Sequence, residues 1–150
     1  MSITVFTGLQ SEIYVPITPQ AIFTPCTKEL KDMNIALVSA CGAHLKSDPR
    51  FNLAGDTSFR CIPNETKTEQ LMISHGGYDN TDANRDINCM FPLDRLHELA
   101  QAHFIKGCVS EHYTFMGGGG DQEAFYHVTG PLIAKKLVAE HTDGVILTAG

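Results

Sequence analysis

The chain has 150 residues, 43% of them hydrophobic and 19% charged, with a formal net charge of −6. That fits one soluble globular domain able to build a core. The acidic balance, without a basic stripe or aromatic-basic interleaving, speaks against nucleic acid as a partner, and the longest apolar stretch, Ile35 to Ala43, is far shorter than a membrane span.

The start Met1-Ser2-Ile3-Thr4 shows no basic region leading into an apolar one, so no secretory signal is visible and a cytoplasmic location is expected. The cysteines, Cys26, Cys41, Cys61, Cys89 and Cys108, are odd in number and form no C-x-x-C. Reduced thiols, used partly as small core residues, are expected rather than a disulfide framework or a zinc knuckle.

Residues 1–33 read as an extended arm. Pro16, Pro19 and Pro25 forbid a long helix, and Ile13-Tyr14-Val15 and Ile22-Phe23 are short apolar patches suited to packing on a neighbouring surface. Residues 34–150 read as an α/β domain. Asn34 to Ala40 predicts a buried strand, followed by the small-residue exit Cys41-Gly42-Ala43 and a loop carrying His44, Lys46 and Arg50. Thr57 to Ile62 and Leu71 to Ser74 are further strands. His75 to Met90 is a polar loop, and Pro92 to His103 an amphipathic helix with Leu93, Leu96, Leu99 and Ala100 on one face. Ile105 to Phe115 begins as a strand and places Glu111-His112 near its end. Four glycines follow, then Asp121 as helix cap, a helix to about Val128 that Gly130-Pro131 interrupts, and a second helical segment to about His141. Asp143 to Gly150 reads as a turn, a buried strand and the first residues of a loop. Strand, helix, strand, helix, strand implies a partial, doubly wound and mostly parallel sheet, a Rossmann-like or flavodoxin-like half.

Three segments can carry chemistry. In the first, His75 to Met90, the residues Asp82, Asn84 and Asp86 match the opening ligands of a calcium loop, but its glycine falls on Ile87 and its closing glutamate on Leu93, so no EF-hand is expected. Either the Asx side chains cap their own backbone, or the loop binds a small polar substrate or docks a subunit through His75, Asp79, Asn80 and Asp86. In the second, Gly117, Gly118, Gly119 and Gly120 before Asp121 can present backbone amides to a carboxylate or phosphate, or can merely permit a tight crossover. In the third, His44 can serve as acid or base, and Lys46 or Arg50 can fix a carboxylate; a solvated loop is the plainer reading. Glu111 and His112 stand similarly. Cys41 is the best internal thiol candidate, against a simple buried small residue, while His97, His103, His127 and His141 are expected at the surface or at helix caps.

Phe51-Asn52-Leu53-Ala54-Gly55-Asp56, His75-Gly76-Gly77-Tyr78-Asp79-Asn80, Asp86 to Leu96, Phe115 to Asp121 and Leu147-Thr148-Ala149-Gly150 together resemble the selenoprotein B family of the glycine, sarcosine, betaine and D-proline reductases. The likeness is strongest to its D-proline branch and runs from about Gly8 to Gly150. The resemblance implies that a selenocysteine directly follows the Leu-Thr-Ala-Gly segment, with a cysteine shortly after and most of another α/β half beyond. The chain is then expected to be an inactive amino-terminal fragment that stops one residue before its reactive group, the recoded UGA having been read as a stop. The resemblance further implies reductive cleavage of the Cα–N bond of D-proline to 5-aminovalerate in amino-acid fermentation (the Stickland reaction). A pyruvoyl group on a partner subunit would activate the nitrogen, selenolate would attack Cα, and a dithiol donor would restore the selenol. No cofactor or metal is expected on this chain. The expected partners are the pyruvoyl-bearing subunit, an electron-donor protein and a small amino acid. His44, Lys46, His75, Asp79, Asn80, Glu111 and Gly117–Gly120 are expected to wall the pocket from their placement at strand ends. Component B of a glycine, sarcosine or betaine reductase, and a small non-redox domain binding an anionic metabolite, are the alternatives.

Overall fold

The computed structural model describes residues 24–117 and 121–149, so most of the expected arm, Gly118–Gly120 and Gly150 lie outside the described residues. The arm's last stretch, residues 24–32, is exposed, with one 3₁₀ turn at Leu30–Asp32. Lys28 Nζ ties it to Asp143 at 2.5 Å, and the same carboxylate accepts the Asn34 N–H at 2.9 Å.

Strand β1 (Asn34–Ser39) is followed by β2 (Ala43–Leu45), β3 (Phe59–Pro63) and β4 (Leu71–Ile73), helix α1 (Leu93–Gln101), and strands β5 (Gly107–Cys108) and β6 (Glu111–Phe115). A helical run then joins α2 (Gln122–Ala124), a π-helical turn (Phe125–Thr129) and α3 (Gly130–Ala139), and strand β7 (Gly144–Thr148) comes last. The architecture is mixed α/β with a mostly parallel sheet. β1 is central: β5 and β6 lie end to end along one of its edges and β7 along the other, all parallel to it, while β3 closes the far side antiparallel to β6. β2 and β4 form a separate antiparallel ladder.

β1 is a continuous apolar run because both its faces are covered. Ile35 and Leu37 pack with Leu93 and Leu96 of α1, and Val38 packs with Tyr113 and Ile133, so α1 and α3 lie on opposite faces of the sheet. The α1 face also holds Ile62, Phe91 and Ile105 and is the larger core.

Four expectations are corrected. The stretch from Ile105 to Phe115 forms two strands, not one, because the ladder breaks at Val109-Ser110 and Glu111 opens β6. Glu111 therefore stands at the amino end of its strand, on the sheet edge opposite the strand exits. Gly130-Pro131 does not interrupt the helical run: the Gly130 N–H reaches back to Phe125 O, and this π turn widens the helix just before Pro131, whose ring lacks the amide an α turn would use. Ala43–Leu45, read as loop, forms β2. β7, expected to be buried, exposes its apolar centre because β1 is its only paired neighbour among the described residues.

The break between β5 and β6 would leave the Leu37 amide without a carbonyl. His112 fills the place: its Nδ1 accepts the Leu37 N–H at 3.0 Å inside the sheet. The proton of the neutral ring therefore sits on Nε2, which donates to Asn64 Oδ1 at 3.1 Å, and His97 Nε2 reaches the same oxygen at 2.9 Å. Burial, with His97 nearby and Glu140 opposing, pushes the His112 pKa down to about 4. An unfolded chain protonates this imidazole near 6.5 and so binds the extra proton between those values. Stability from His112 is thus full above 6.5 and lost as pH falls toward 4, about 3 kcal/mol across the window. Urea unfolding between pH 7 and 5 should show this slope, and His112→Gln should flatten it.

His103 and His141 follow α1 and α3 with φ of 58° and 54°. A side chain in this left-handed conformation is strained where glycine is not. His103→Gly should raise stability by about 1 kcal/mol, read as a higher urea midpoint at constant slope.

Candidate functional site

In an open α/β sheet the crevice for chemistry lies beyond the carboxyl ends of the strands, where successive connections turn to opposite sides. Here the chain leaves β1 to reach β6 on one side and then crosses to β7 on the other, so that crevice lies over the exits of β1 and β7. The exits are stitched together. The Ala40 N–H donates to Thr148 O at 3.0 Å and the Gly42 N–H to Phe115 O at 2.9 Å. The Met90 carbonyl accepts the Thr148 hydroxyl at 2.8 Å and the Ser39 hydroxyl at 3.4 Å. The turn after β1 needs glycine: Gly42 has φ +72°, and a Cβ there would lie 2.3 Å from Ser74 O.

A paired His75 and Tyr78 covers this rim. The His75 Nδ1 accepts the Gly77 N–H at 2.9 Å, which places the neutral ring's proton on Nε2. Burial lowers the His75 pKa, with the Met116 backbone opposing, so the ring is a neutral donor at pH 7. It stacks on Tyr78 with centroids 4.6 Å apart. The Tyr78 hydroxyl donates to Cys41 O at 3.0 Å, and burial pushes its pKa up to about 12, so it keeps its proton. Asn80 Nδ2 donates to His75 O at 3.3 Å, while Asn80 Oδ1 is buried with no partner among the described residues.

The other expected residues fall apart in space. Gly117 is at the rim, with φ +78° and close to Ala40, but Gly118, Gly119 and Gly120 lie outside the described residues. Asp79 points outward and caps Thr81, whose amide and hydroxyl hold the carboxyl below its usual range. His44 is wholly buried, its Nδ1 bonded to Leu45 O at 2.7 Å and its Nε2 to the Ser74 hydroxyl at 3.0 Å. Lys46 stands beyond the far end of the β2–β4 ladder, with Nζ on Glu69 O. Glu111, on the opposite edge, accepts the Tyr113 hydroxyl at 3.3 Å and lies 3.5 Å from Lys136 Nζ.

The rim also contains residues that sequence reasoning did not single out: Tyr78, Ser39 and Thr148, with exposed Cys89 next to Met90. The available signal was a polar residue closing each of two apolar strands, Ser39 and Thr148, which the register sets side by side. Burial raises the thiol pKa of Cys41, Cys61 and Cys108, the reverse of what a thiolate nucleophile requires. Among the described residues no three His, Cys, Asp or Glu side chains converge as a metal site, and no helix is long and apolar enough to cross a membrane. The rim offers fixed neutral hydrogen-bonding groups, able to orient a small polar molecule.

Residues 7–150 match the family described as glycine/sarcosine/betaine reductase selenoprotein B. The chain is 60% identical over 148 residues to D-proline reductase subunit gamma of Acetoanaerobium sticklandii, covering 99% of this chain and 61% of that protein. It is 29% identical over 144 residues to glycine reductase complex component B subunit gamma of Carboxydothermus hydrogenoformans, covering 93% of this chain and 33% of that one. To sarcosine reductase complex component B subunit beta of Peptoclostridium acidaminophilum it is 23% identical over 145 residues, with 93% and 33% covered. The chain thus spans about three fifths of the first relative's length and a third of the others. No solved structure matches it. With nearly its whole length matched, the chain belongs to the glycine/sarcosine/betaine reductase selenoprotein B family.

Proposed function

We propose that this chain is the amino-terminal part of the selenocysteine-bearing subunit of a D-proline reductase, which cleaves the Cα–N bond of D-proline to give 5-aminovalerate. The observation that carries the reading is the 60% identity to D-proline reductase subunit gamma, twice that to the glycine reductase component. In this reading residues 34–150 are the first part of a larger flavodoxin-like unit, preceded by the arm at 1–33, and the subunit works in the cytoplasm with a pyruvoyl-bearing subunit and an electron-donor protein.

Selenocysteine beyond Gly150 would supply the nucleophile, and the partner's pyruvoyl group would make the substrate nitrogen a better leaving group. The chain's own residues orient and shield. Asn80 Nδ2 steadies the loop through His75 O, the neutral His75 and Gly117 line the approach, and Tyr78 holds the β1 exit through Cys41 O. The Met90 carbonyl fixes Thr148, and with it the end of β7 where the reactive group belongs. His44, locked by two hydrogen bonds, supports this wall from beneath, and Lys46, Asp79 and Glu111 act away from the chemistry.

The test is to express the frame through the codon after Gly150 with selenocysteine machinery and the pyruvoyl subunit, and to follow 5-aminovalerate with a dithiol donor. D-proline turnover is expected, with none from the 150-residue chain alone. Turnover of glycine, sarcosine or betaine but not D-proline would overturn the assignment.

A second outcome follows from the thiols. Exposed Cys26 and Cys89 should alkylate readily, whereas Cys41, wholly buried, should react at least about 100-fold more slowly until denaturant opens the fold, as peptide mass mapping would show.

A further inference from the structure

We infer that the outer edge of β7 and the groove between β7 and α3 receive a further parallel strand and its crossover helix, supplied by polypeptide that the longer relatives carry outside the shared span. The inference rests on the proposed reading of this chain as part of a larger subunit, and adds where and how the rest attaches.

The first observation is an unsatisfied strand. β7 pairs with β1 from Ile35↔Gly144 to Ser39↔Thr148 and with no other strand among the described residues. Its outer edge therefore offers N–H and C=O groups to a neighbour. Its centre is Val145, Ile146 and Leu147, exposed by 41%, 39% and 76%. Paired residues in parallel strands share a face, so Val145 and Leu147 stand with Ala36 and Val38 on the α3 side, and Ile146 stands with Leu37 on the α1 side. Both faces of β7 are therefore partly bare, whereas parallel strands are ordinarily covered on both.

The second is a groove. Ala134, Leu137 and Val138 of α3, the turn from Thr142 into Val145 of β7, and Thr24 to Cys26 of the arm's last stretch line an open groove of about 650 Å³, in which Val138 is 75% exposed. The third is handedness. From β1 to β6 the chain steps one way with α1 on one face; from β6 to β7 it crosses the other way with α3 on the opposite face. Right-handed crossovers couple direction to face. A strand added outside β7 continues in the second direction, so its helix must lie on the α3 face, where the groove is.

Length fits as well. The D-proline reductase subunit is 61% covered by this chain, and the remaining two fifths exceed the roughly 30 residues of one strand-helix-strand unit. The expected occupant is a helix with one apolar stripe leading into a Val/Ile/Leu-rich strand.

The test takes the part of the Acetoanaerobium sticklandii subunit outside the shared span, expressed as a separate polypeptide, and mixes it with the 150-residue chain. Amide exchange of β7 and α3 should slow at least tenfold. Leu147→Lys and Val138→Glu, both on exposed positions, should weaken binding at least tenfold while the free chain's circular dichroism is unchanged. In parallel, a continuous longer chain should show the same β7 protection without mixing, which guards against a separate piece that does not fold. Protection elsewhere, binding indifferent to both substitutions, or β7 protection that arises from self-association would overturn the inference, as would an unprotected β7 in the continuous chain. Docking is read by exchange and function by D-proline turnover. Docking without turnover sinks the functional reading alone, and turnover with β7 still open sinks this inference alone.

Discussion

A single imidazole holds the centre of the sheet together. β1 must be served along one edge by two short strands, and where they meet a backbone carbonyl is missing. His112 Nδ1 supplies the acceptor for the Leu37 amide, and only the neutral ring can do so. An unpaired amide at this depth would cost roughly 1–3 kcal/mol. The bond also dictates the neighbours: Nε2–H must find an acceptor, which Asn64 provides at the end of β3, and His97 on α1 shares that oxygen. One central interaction thus links β1, β3, β6 and α1 and keeps a broken ladder in register.

That register sets the geometry of the candidate site. With β6 and β7 aligned on either side of β1, three strands end at one level, and hydrogen bonds from Ala40, Gly42, Ser39 and Thr148 tie their exits together. On this base the His75–Tyr78 stack adds neutral hydrogen-bonding groups whose protonation is set by burial. A rim built this way presents fixed, neutral hydrogen-bonding groups. Its buried thiols, pushed up in pKa, do not provide a nucleophile.

The outer flank of the molecule contrasts with its centre. β1 buries every residue from Ile35 to Ser39, whereas β7, of similar composition, leaves its three apolar residues exposed. The difference lies in neighbours, not in propensity. The same contrast separates α1, whose Leu93 and Leu96 are enclosed, from α3, where Ile133 is covered but Leu132 and Val138 are not.

Local chemistry was enough to read much of this from the chain. Runs of apolar residues marked β1 and β7, the Pro92 start and leucine spacing marked α1, and Asp121 caps α2 as its side chain type requires. The motifs sufficed for the family because particular residues at particular spacings, such as His75 to Asn80, are not generic. What needed the folded chain was every property that depends on a partner distant in sequence. The break at Val109-Ser110 is invisible until β1 is seen to pair on both sides of it, and so Glu111 moved from strand end to strand start. His44 looked like a loop acid or base and is a core residue because β4 arrives beside it; Tyr78 looked incidental and is a clamp because Cys41 O lies above it. The sequence carries propensity and periodicity, which act over a few residues, while burial, tautomer and strand register arise only when segments tens of residues apart meet.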